Sequence, residues 1–384
     1  MSRTGFPAVF MRGGTSKGIF FRGGVLPEDG RLRDRIFLRA VGGGDPYGRE
    51  IDGLGGATSS TSKAVIVSRS ARPDADVDYL FAQVGVHTPV VDYRGSCGNL
   101  LAAVGPFAID EGLVRAASGT HTIVRIWQVN TAKLIVAHVP VQAGMAHEEG
   151  DYRIAGIPHA GAEIVLDLVD PAGSSTGKLL PSTSPRDTLT VAGIGCITVS
   201  LVDAATPMVF VRARDVGVSG AEAAAALNAM PELLAKLEAI RAAASLAMKL
   251  APSVEAATRD RPGTPRIGLV SEPQDFRCPD GALMRSVDID LVARAVSMGA
   301  FHHAYPGTCS IATAVAAVIP GTIVNEVSGA DPLRPVRIGH ASGSMQVGVT
   351  LSSTGGSIQV IKATVSRTAR RLMDGTVYVP AAIL

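Results

Sequence analysis

"YRGSCGNLLAAVG", residues 93–105, places a cysteine before a Gly-Asn pair and an apolar, Ala-rich run. "PGTCSIATAVAAVIPG", residues 306–321, repeats this arrangement with Cys309 ahead of a second Ala-rich run. Each run predicts a helix that begins near its cysteine, because small and polar residues favour a helix start and the apolar run sustains the helix. The chain of 384 residues therefore carries one cysteine-headed helix in each half.

Most of the remaining sequence alternates between apolar and polar residues, as β-strands do. The alternating segments are 63–70, 77–93, 120–142, 195–216, 266–273 and 344–366. Within the last of them, Thr-Gly-Gly at 354–356 predicts a hairpin turn. Further helices are predicted at 31–42, 231–250 and 288–299. Scattered single helices among many hairpins predict an α+β protein rather than alternating βαβ units.

The length of the chain is enough for roughly two to three domains. The stretch "DPAGSSTGKLLPSTSPRDT", residues 170–188, is rich in proline, serine and glycine and predicts a linker or long loop near the midpoint. It divides the chain into residues 1–184 and 185–384, which are similar in size and hold one cysteine-headed helix each. This similarity suggests internal pseudo-symmetry.

Composition excludes several classes of function. A net charge of +2 gives no electrostatic reason to bind nucleic acid or an acidic membrane surface, and an aromatic content of 4% leaves few aromatic side chains on which nucleic-acid bases could stack. No run reaches the ~20 apolar residues that span a bilayer, and the first residues lack a signal peptide's apolar core. Four cysteines without a CxxC pair argue against zinc. We expect a cytoplasmic protein with reduced thiols.

The cysteine at a helix start suggests chemistry. Unpaired backbone N–H groups and the positive end of the helix dipole stabilise a thiolate there, and the same groups can bind a substrate carboxylate. The alternative is that Cys97 and Cys309 are small buried packing residues. Cys196, in a strand pattern, and Cys278, in a polar loop, are predicted to be packing residues only.

Two glycine- and hydroxyl-rich loops end in the tripeptide Thr-Ser-Lys: "MRGGTSKGIFF" (11–21) and "GLGGATSSTSKAVIV" (53–67). Backbone N–H groups, hydroxyls and an ammonium together suit a carboxylate or phosphate, although a simple turn is the alternative. Neither loop fits the Walker pattern. Ser60 and Lys63 have the S-x-x-K spacing of serine acyltransferases, but that motif needs a helix, and Lys63 opens a predicted strand.

The arginines of "ATVSRTARRLMDG", residues 363–375, form either a solvated basic face or a carboxylate clamp, with Arg367 as the leading candidate.

The chain resembles the 2-methylaconitate cis–trans isomerase (PrpF) family, which includes 4-oxalomesaconate tautomerases and methylitaconate isomerases. The matching stretches are "RGGTSKG", "DPYGREIDGLGGATSSTSK", "DVDYLFAQV", "CGNLLAAVGPFAI", "VRIWQVNTAKLIVAHVPV" and "SRTARRLMDG". The resemblance implies a diaminopimelate epimerase-like fold with two pseudo-symmetric domains, each a sheet wrapped around a central helix. It also implies an active site between the halves, and a C-terminal strand near 375–380 that packs on the first half.

The resemblance implies two catalytic residues, Lys63 and Cys97, which transfer protons. In the family the second helix commonly lacks a cysteine, so the role of Cys309 is open. The resemblance and the anion loops together give these candidate substrate-binding residues: Arg12, Gly14, Thr15, Ser16, Lys17, Ser62, Gly98, Asn99, Gly307, Thr308, Cys309, Ser310 and Arg367.

The implied activity is isomerisation of a small unsaturated tricarboxylate by allylic proton transfer, without a metal or an organic cofactor. 2-Methylaconitate is the first candidate; 4-oxalomesaconate, methylitaconate and aconitate are the alternatives, and a non-catalytic carboxylate-binding protein is an alternative of another class. The sequence is compatible with a homodimer. A neutral lysine base at pH 7 needs a pKa lowered by about three units, or about 4 kcal/mol, so energetics favour Cys97 as base. The resemblance points to Lys63 as base, and the assignment stays open.

Overall fold

The computed structural model describes residues 3–354 and 357–383 and divides them between two compact units. The first unit comprises Met1–Leu166 with Arg367–Leu384, and the second comprises Asp167–Ser366. The predicted division between residues 184 and 185 therefore falls inside the second unit. Of the predicted hairpin turn, Gly355 and Gly356 lie outside the described residues, whereas the strands on either side pair antiparallel.

The secondary structure is that of an α+β protein, as predicted. The strands are β1 (Arg3–Gly13), β2 (Ser16–Arg22), β3 (Lys63–Arg69), β4 (Val77–Val84), β5 (Val91–Asp92), β6 (His121–Gln128), β7 (Lys133–Gln142), β8 (Met145–Ala146), β9 (Ile164–Val169), β10 (Asp187–Val191), β11 (Gly195–Ala204), β12 (Thr206–Arg212), β13 (Arg266–Ser271), β14 (Phe276–Arg277), β15 (Leu283–Met284), β16 (Leu291–Ser297), β17 (Ala300–Phe301), β18 (Val336–His340), β19 (Gly343–Thr354), β20 (Ser357–Arg367) and β21 (Ala369–Pro380).

The α-helices are α1 (Gly30–Val41), α2 (Gly98–Asp110), α3 (Ala224–Asn228), α4 (Pro231–Ala247), α5 (Val254–Asp260), α6 (Gly307–Val318) and α7 (Ile323–Val327). Short 3-10 helices lie at Ala213–Val216, Ser286–Asp288 and Ala381–Ile383. Within the described residues, none of these helices has the length and apolar character needed to span a membrane.

The first unit is a sheet curled around α2. Its strand order is β21-β1-β2-β3-β4-β6-β7-β8, in which β2–β3 and β4–β6 are parallel and the other pairs antiparallel. Strands from both ends of this order, among them β21, β1, β7 and β8, contact α2. Every residue of α2 from Gly98 to Ile109 is buried, as expected for a helix that is apolar all round.

The outer face of the first sheet is covered by α1. Asp29 caps the start of this helix by accepting from the N–H groups of Arg31 and Leu32, and Gly42 ends it in the left-handed region at φ 87°. Ile36 and Phe37 of α1 pack on Ile19 and other side chains of the sheet. Successive residues of β2 consequently face α2 and α1 in turn, so each strand contributes to two cores.

The second unit repeats the succession of parallel and antiparallel strand pairs found in the first unit. Its strand order is β10-β11-β12-β13-β16-β18-β19-β20, and β12–β13 and β16–β18 are parallel while the other pairs are antiparallel. The buried helix α6 contacts β11, β12, β18 and β19, and α4 packs on the opposite face through Leu237 and Ile240. The run from β11 to β19 therefore repeats the topology of β1 to β7.

The helix predicted at residues 288–299 is wrong. Leu291–Ser297 forms β16, a strand between β13 and β18 that is buried at six of its seven positions. A short continuous apolar run fits a buried strand as well as a buried helix, and the strand is selected here by its two neighbours. Arg294 is accommodated in this strand because its guanidinium donates to the carbonyls of Ala221, Glu222 and Ala293.

Of the loop predicted at 170–188, residues 170–186 connect β9 to β10, whereas Asp187 and Thr188 open β10. Asp203, fully buried at the end of β11, accepts from the Ser174 hydroxyl and from the N–H groups of Ser175 and Thr176 at 2.5–2.8 Å. This carboxylate fixes the loop within the second unit.

Candidate active site

Lys63 is the first residue of β3 and is 4% exposed. Its Nζ donates to Oε1 of Gln83 at 2.5 Å and lies 4.9 Å from the ring centre of Phe81. Both partners are on β4, where Gln83 is the residue directly opposite Lys63. The buried amine thus contacts a neutral amide oxygen and an aromatic face.

Cys97 is the residue that caps α2, as predicted from its position before the helical run. Its Sγ accepts from the N–H of Leu100 at 3.4 Å and lies 3.9 Å from the hydroxyl oxygen of Ser16. The side chain is 7% exposed. The phenol of Tyr79 donates to the Cys97 carbonyl at 3.4 Å, and burial raises the pKa of this phenol well above 10, so it stays a neutral donor.

The start of β2 lies next to both Lys63 and Cys97. Ser16, at one end of this connection, is the hydroxyl beside Cys97. Gly18, two residues later on the same face, is so close to its neighbours that an added Cβ would lie 2.8 Å from the carbonyl oxygen of Lys63 and 3.0 Å from Leu100. Lys63 and the first turn of α2 therefore pack on the same face of β2 within the first unit.

Polar side chains tie the turn between β1 and β2 to the start of α2. The amide nitrogen of Asn99 donates to the Thr15 hydroxyl at 3.0 Å, and its Oδ1 accepts from Nε of Arg367 at 3.2 Å. Arg12 donates from Nη1 to the carbonyl and hydroxyl oxygens of Thr368. The turn, the helix start and the strand end that holds Arg367 form one connected group.

Two cations belong to this group: Arg367, which is buried, and Arg12, which is half-buried. Burial lowers the pKa of Arg367 to about 10 and also lowers the pKa of Arg12, although the negative charge of Glu148 opposes the effect on Arg12. Both guanidinium groups still carry their charge at pH 7. They supply positive charge close to the start of α2, where a carboxylate would be stabilised.

Three other predicted residues of the first unit are Lys17, Ser62 and Gly98. Lys17 alternates with Ser16 on β2, and its Nζ lies 5.4 Å from the ring of Phe10, which packs with the α1 core. Ser62 is buried next to Lys63, and its hydroxyl donates to Glu50 at 2.7 Å. Gly98 forms the first helical position after Cys97.

The candidates of the second unit lie in the first turn of α6. Gly307, Thr308, Cys309 and Ser310 are all buried, and Pro306 precedes the helix. Cys309 is therefore the third helical residue, whereas Cys97 is the capping residue, so the two cysteine settings differ more than the sequence predicts. Nη1 of Arg266 lies 3.9 Å from the Cys309 sulfur.

Gln83, Glu50 and Arg266 are among the residues that contact the candidates and that sequence reasoning missed. Strand alternation offered a signal for Gln83, because it falls on the same face as Tyr79 and Phe81 and is a polar residue on an otherwise apolar face. Arg266 opens β13 as Lys63 opens β3, at the corresponding place in the repeated topology. Glu50 offered no comparable pattern.

An open hollow of about 850 Å³ lies elsewhere in the first unit, at the end of α1. Its lining includes Arg35, Arg39, Tyr47 and Ile51, and none of the candidate residues. Within the described part of the chain, no group of three or more His, Cys, Asp or Glu side chains is arranged to hold a metal ion.

Replacing Gly14 by alanine is expected to lower kcat/KM about tenfold, because the turn must keep its distance from Asn99. Gly14 has φ 51°, and an added Cβ would lie 2.5 Å from the Asn99 amide oxygen that accepts from Arg367. Gly24→Ala is the control: Gly24 also has a positive φ, at 85°, but a Cβ there meets no atom within 4 Å. Equal activities of the two variants would contradict a role for this turn.

Solved structures define the class of fold. A crystal structure of a hydroxyproline epimerase from Agrobacterium vitis, 13% identical, superposes with a TM-score of 0.57 over 98% of this chain and 93% of that one. A likeness at this identity concerns the fold alone. The predicted diaminopimelate epimerase-like fold, with two sheets that each surround a helix, is confirmed.

The full-length relatives are more similar. A 2-methyl-aconitate isomerase of Cupriavidus necator is 44% identical over 97% of each chain, and a 3-methylitaconate isomerase of Eubacterium barkeri is 45% identical over 98% of each. A crystal structure of a methylitaconate-delta-isomerase, 43% identical, has a TM-score of 0.78 and covers all of this chain and 97% of that one. The family model for PrpF protein matches residues 3–380. The chain belongs to the PrpF family and is an isomerase.

Proposed function

We propose that the protein shifts or rotates the C=C bond of a small unsaturated tricarboxylate, with Lys63 and Cys97 moving the proton. The observation that carries this proposal is that the buried residues Lys63 and Cys97 lie beside Gly18 and Ser16 of β2, in one unit of the fold. A protein that only bound carboxylates would not need the thiol in this position. 2-Methylaconitate is the first candidate substrate.

The chemistry needs one proton acceptor and one proton donor. The acceptor takes a proton from the sp³ carbon next to the C=C bond, and the electron pair of that C–H bond is delocalised through the alkene onto a carboxylate. The donor then protonates the other end of the allylic system, or the same carbon after bond rotation. The acceptor's proton returns to the donor after turnover, so no oxidant, reductant or further reactant is consumed.

The energetics of the two groups favour one assignment of roles. Cys97 Sγ accepts the N–H of Leu100 and donates to the hydroxyl oxygen of Ser16, and Lys63 Nζ donates to Gln83. Because a neutral lysine at pH 7 is costly, Cys97 is favoured as the proton acceptor and Lys63 as the donor. The family resemblance points to the reverse, and the exchange measurements described below distinguish the two assignments.

The charge of the substrate sets a second requirement. A tricarboxylate carries three negative charges at pH 7, and its allylic anion carries one more, so cations must lie near the reacting carbons. Arg367 and Arg12, joined to Asn99 and Thr368 around the first turn of α2, meet this requirement. We include Gly14, Thr15, Ser16, Lys17, Ser62, Gly98 and Asn99 in the proposed substrate-binding set; the segment Gly307–Ser310 of the second unit stays a prediction.

Substrate identity is the finer part of the proposal. The relatives named for 2-methyl-aconitate and for 3-methylitaconate are 44% and 45% identical to this chain, so similarity alone does not rank these two acids. 4-Oxalomesaconate and aconitate remain the alternatives. All of them share an alkene conjugated to carboxylates, which is the feature that the proposed chemistry uses.

The test is to incubate the protein with each acid in D₂O and to follow vinyl and methyl protons by ¹H NMR. We expect isomerisation of at least one acid, with deuterium entering its allylic position. The acid with the highest kcat/KM identifies the substrate. If no acid of this set were isomerised or exchanged, the proposed function would be wrong.

A further inference from the structure

We infer that Gln83 is a positioning residue for the isomerisation: its amide oxygen fixes the Lys63 amine and sets the pH range in which that amine works. This inference rests on the proposed function of Lys63. Gln83 is 8% exposed and stands opposite Lys63 in the β3–β4 pair. Its Oε1 is 2.5 Å from the Lys63 nitrogen.

The orientation of the Gln83 amide is determined by its other contacts. Nε2 donates to the carbonyl oxygens of Ser62 at 3.0 Å and Val84 at 3.3 Å. A flipped amide would place Oε1 against these two acceptors and an NH₂ group against the amine, which is unfavourable at both ends. The carbonyl oxygens of Ser62, next to Lys63, and of Val84, next to Gln83, therefore orient the amide so that its oxygen points to the amine.

A neutral acceptor at this place has a specific consequence. An acceptor near a buried ammonium stabilises its charged form, and burial alone destabilises it. A carboxylate at position 83 would form a buried ion pair and hold the amine in its charged form, whereas an apolar side chain would remove this stabilisation of the charge. The neutral Gln83 amide stabilises the charged form of Lys63 less than a carboxylate and more than an apolar side chain would, so the Lys63 amine can change protonation state during turnover.

Other titratable groups on the elements around Lys63 include Cys97 at the start of α2, Asp110 at its end, Tyr79 and Asp78 on β4, and Glu50, which accepts from Ser62. None of them is changed by a substitution at position 83. A shift in the pH profile of such variants therefore reports on Lys63 through its amide contact.

The test is the pH profile of kcat/KM for isomerisation in two variants. Gln83→Met keeps the length of the side chain and removes its polar atoms; the Ser62 carbonyl keeps a donor, the N–H of Val84. We expect the midpoint of one limb to move down by about one pH unit in Gln83→Met and up by at least as much in Gln83→Glu. In Gln83→Met, kcat should fall about tenfold while KM stays close to that of the parent protein.

The matched control is Gln128→Met. Gln128 is another buried glutamine of the first unit, bonded to Asn130 and Thr131, and should keep the parent midpoint. Midpoints of both Gln83 variants that stay unchanged, or that move in the same direction, overturn the inference. If Gln83→Glu does not fold, the direction found for Gln83→Met decides alone.

The same assay on Lys63→Met separates this inference from the proposed function. Full isomerase activity without the amine would contradict the role of Lys63 itself. Loss of activity in Lys63→Met, together with a parent-like profile in Gln83→Met, would overturn only the role of Gln83.

Discussion

Replacing Lys63 by methionine is expected to lower the isomerisation rate about a thousandfold, which is the range for loss of a proton-transfer group. Methionine matches the length of the lysine stem and keeps its packing near Phe81. The substitution also removes an amine that burial disfavours as an ion, so the melting temperature should not fall. Vinyl-proton signals in D₂O measure the rate, and thermal unfolding measures stability.

Deuterium exchange in Lys63→Met gives the role of the amine. If Lys63 donates the second proton, Cys97 can still remove and return the first one, and exchange at the abstracted carbon continues while isomerisation stops. If Lys63 is the acceptor, both processes stop. Lys178→Met, at an exposed lysine of the second unit, is the control and should retain full activity. Undiminished isomerisation by Lys63→Met would contradict the account.

Replacing Cys97 by serine is expected to lower the isomerisation rate at least about a hundredfold, because a serine hydroxyl is a far weaker proton acid and its alkoxide is scarcely populated at pH 7. The fold should be kept. Serine is a favoured capping residue and can accept the Leu100 N–H that Cys97 Sγ accepts now. With Cys97 as acceptor, exchange and isomerisation should both be lost.

Cys196→Ser provides the matched control, since Cys196 is an exposed thiol on β11 whose Sγ lies 3.9 Å from the Thr190 hydroxyl. The control should isomerise at the parent rate. Parent-like isomerisation by Cys97→Ser, measured with the same substrate concentration, would show that the thiol has no part in proton transfer.

The parts of the fold that were predictable from the sequence depend on local patterns. The Ala-rich runs after Cys97 and before Pro320 give α2 and α6, and strict alternation gives β3, β6 and β7. These segments carry enough apolar side chains at one spacing to determine their own structure. The β1–β21 pairing joins residues more than 350 positions apart, and only the family resemblance suggested it.

The sequence predictions were wrong where contacts with neighbouring segments determine the local structure. Leu291–Ser297 has an apolar spacing that a helix also permits, and its pairing with β13 and β18 makes it a strand. Cys309 has the same small-residue surroundings as Cys97, yet α6 starts at Gly307, three residues earlier relative to its cysteine than α2 starts relative to Cys97. The sequence could not reveal that offset, because glycine and threonine are acceptable both before a helix and in its first turn.

The site was predictable to the level of single residues but not of their contacts. Lys63 and Cys97 stand in motifs that suggest chemistry by themselves. Gln83 becomes important only because β4 pairs with β3 in one register, which places its amide beside the Lys63 amine. The register between two strands depends on the whole sheet and is not determined by either segment alone.

The most direct measurement of the central claim is the isomerisation rate of the double variant Lys63→Met/Cys97→Ser. Two groups that serve one proton transfer act as a unit, so the double variant should be no more than about threefold slower than the slower single variant. Losses that multiply, to about 10⁵ from the magnitudes given above, would mean that the amine and the thiol act independently, and the proposed proton relay would be contradicted.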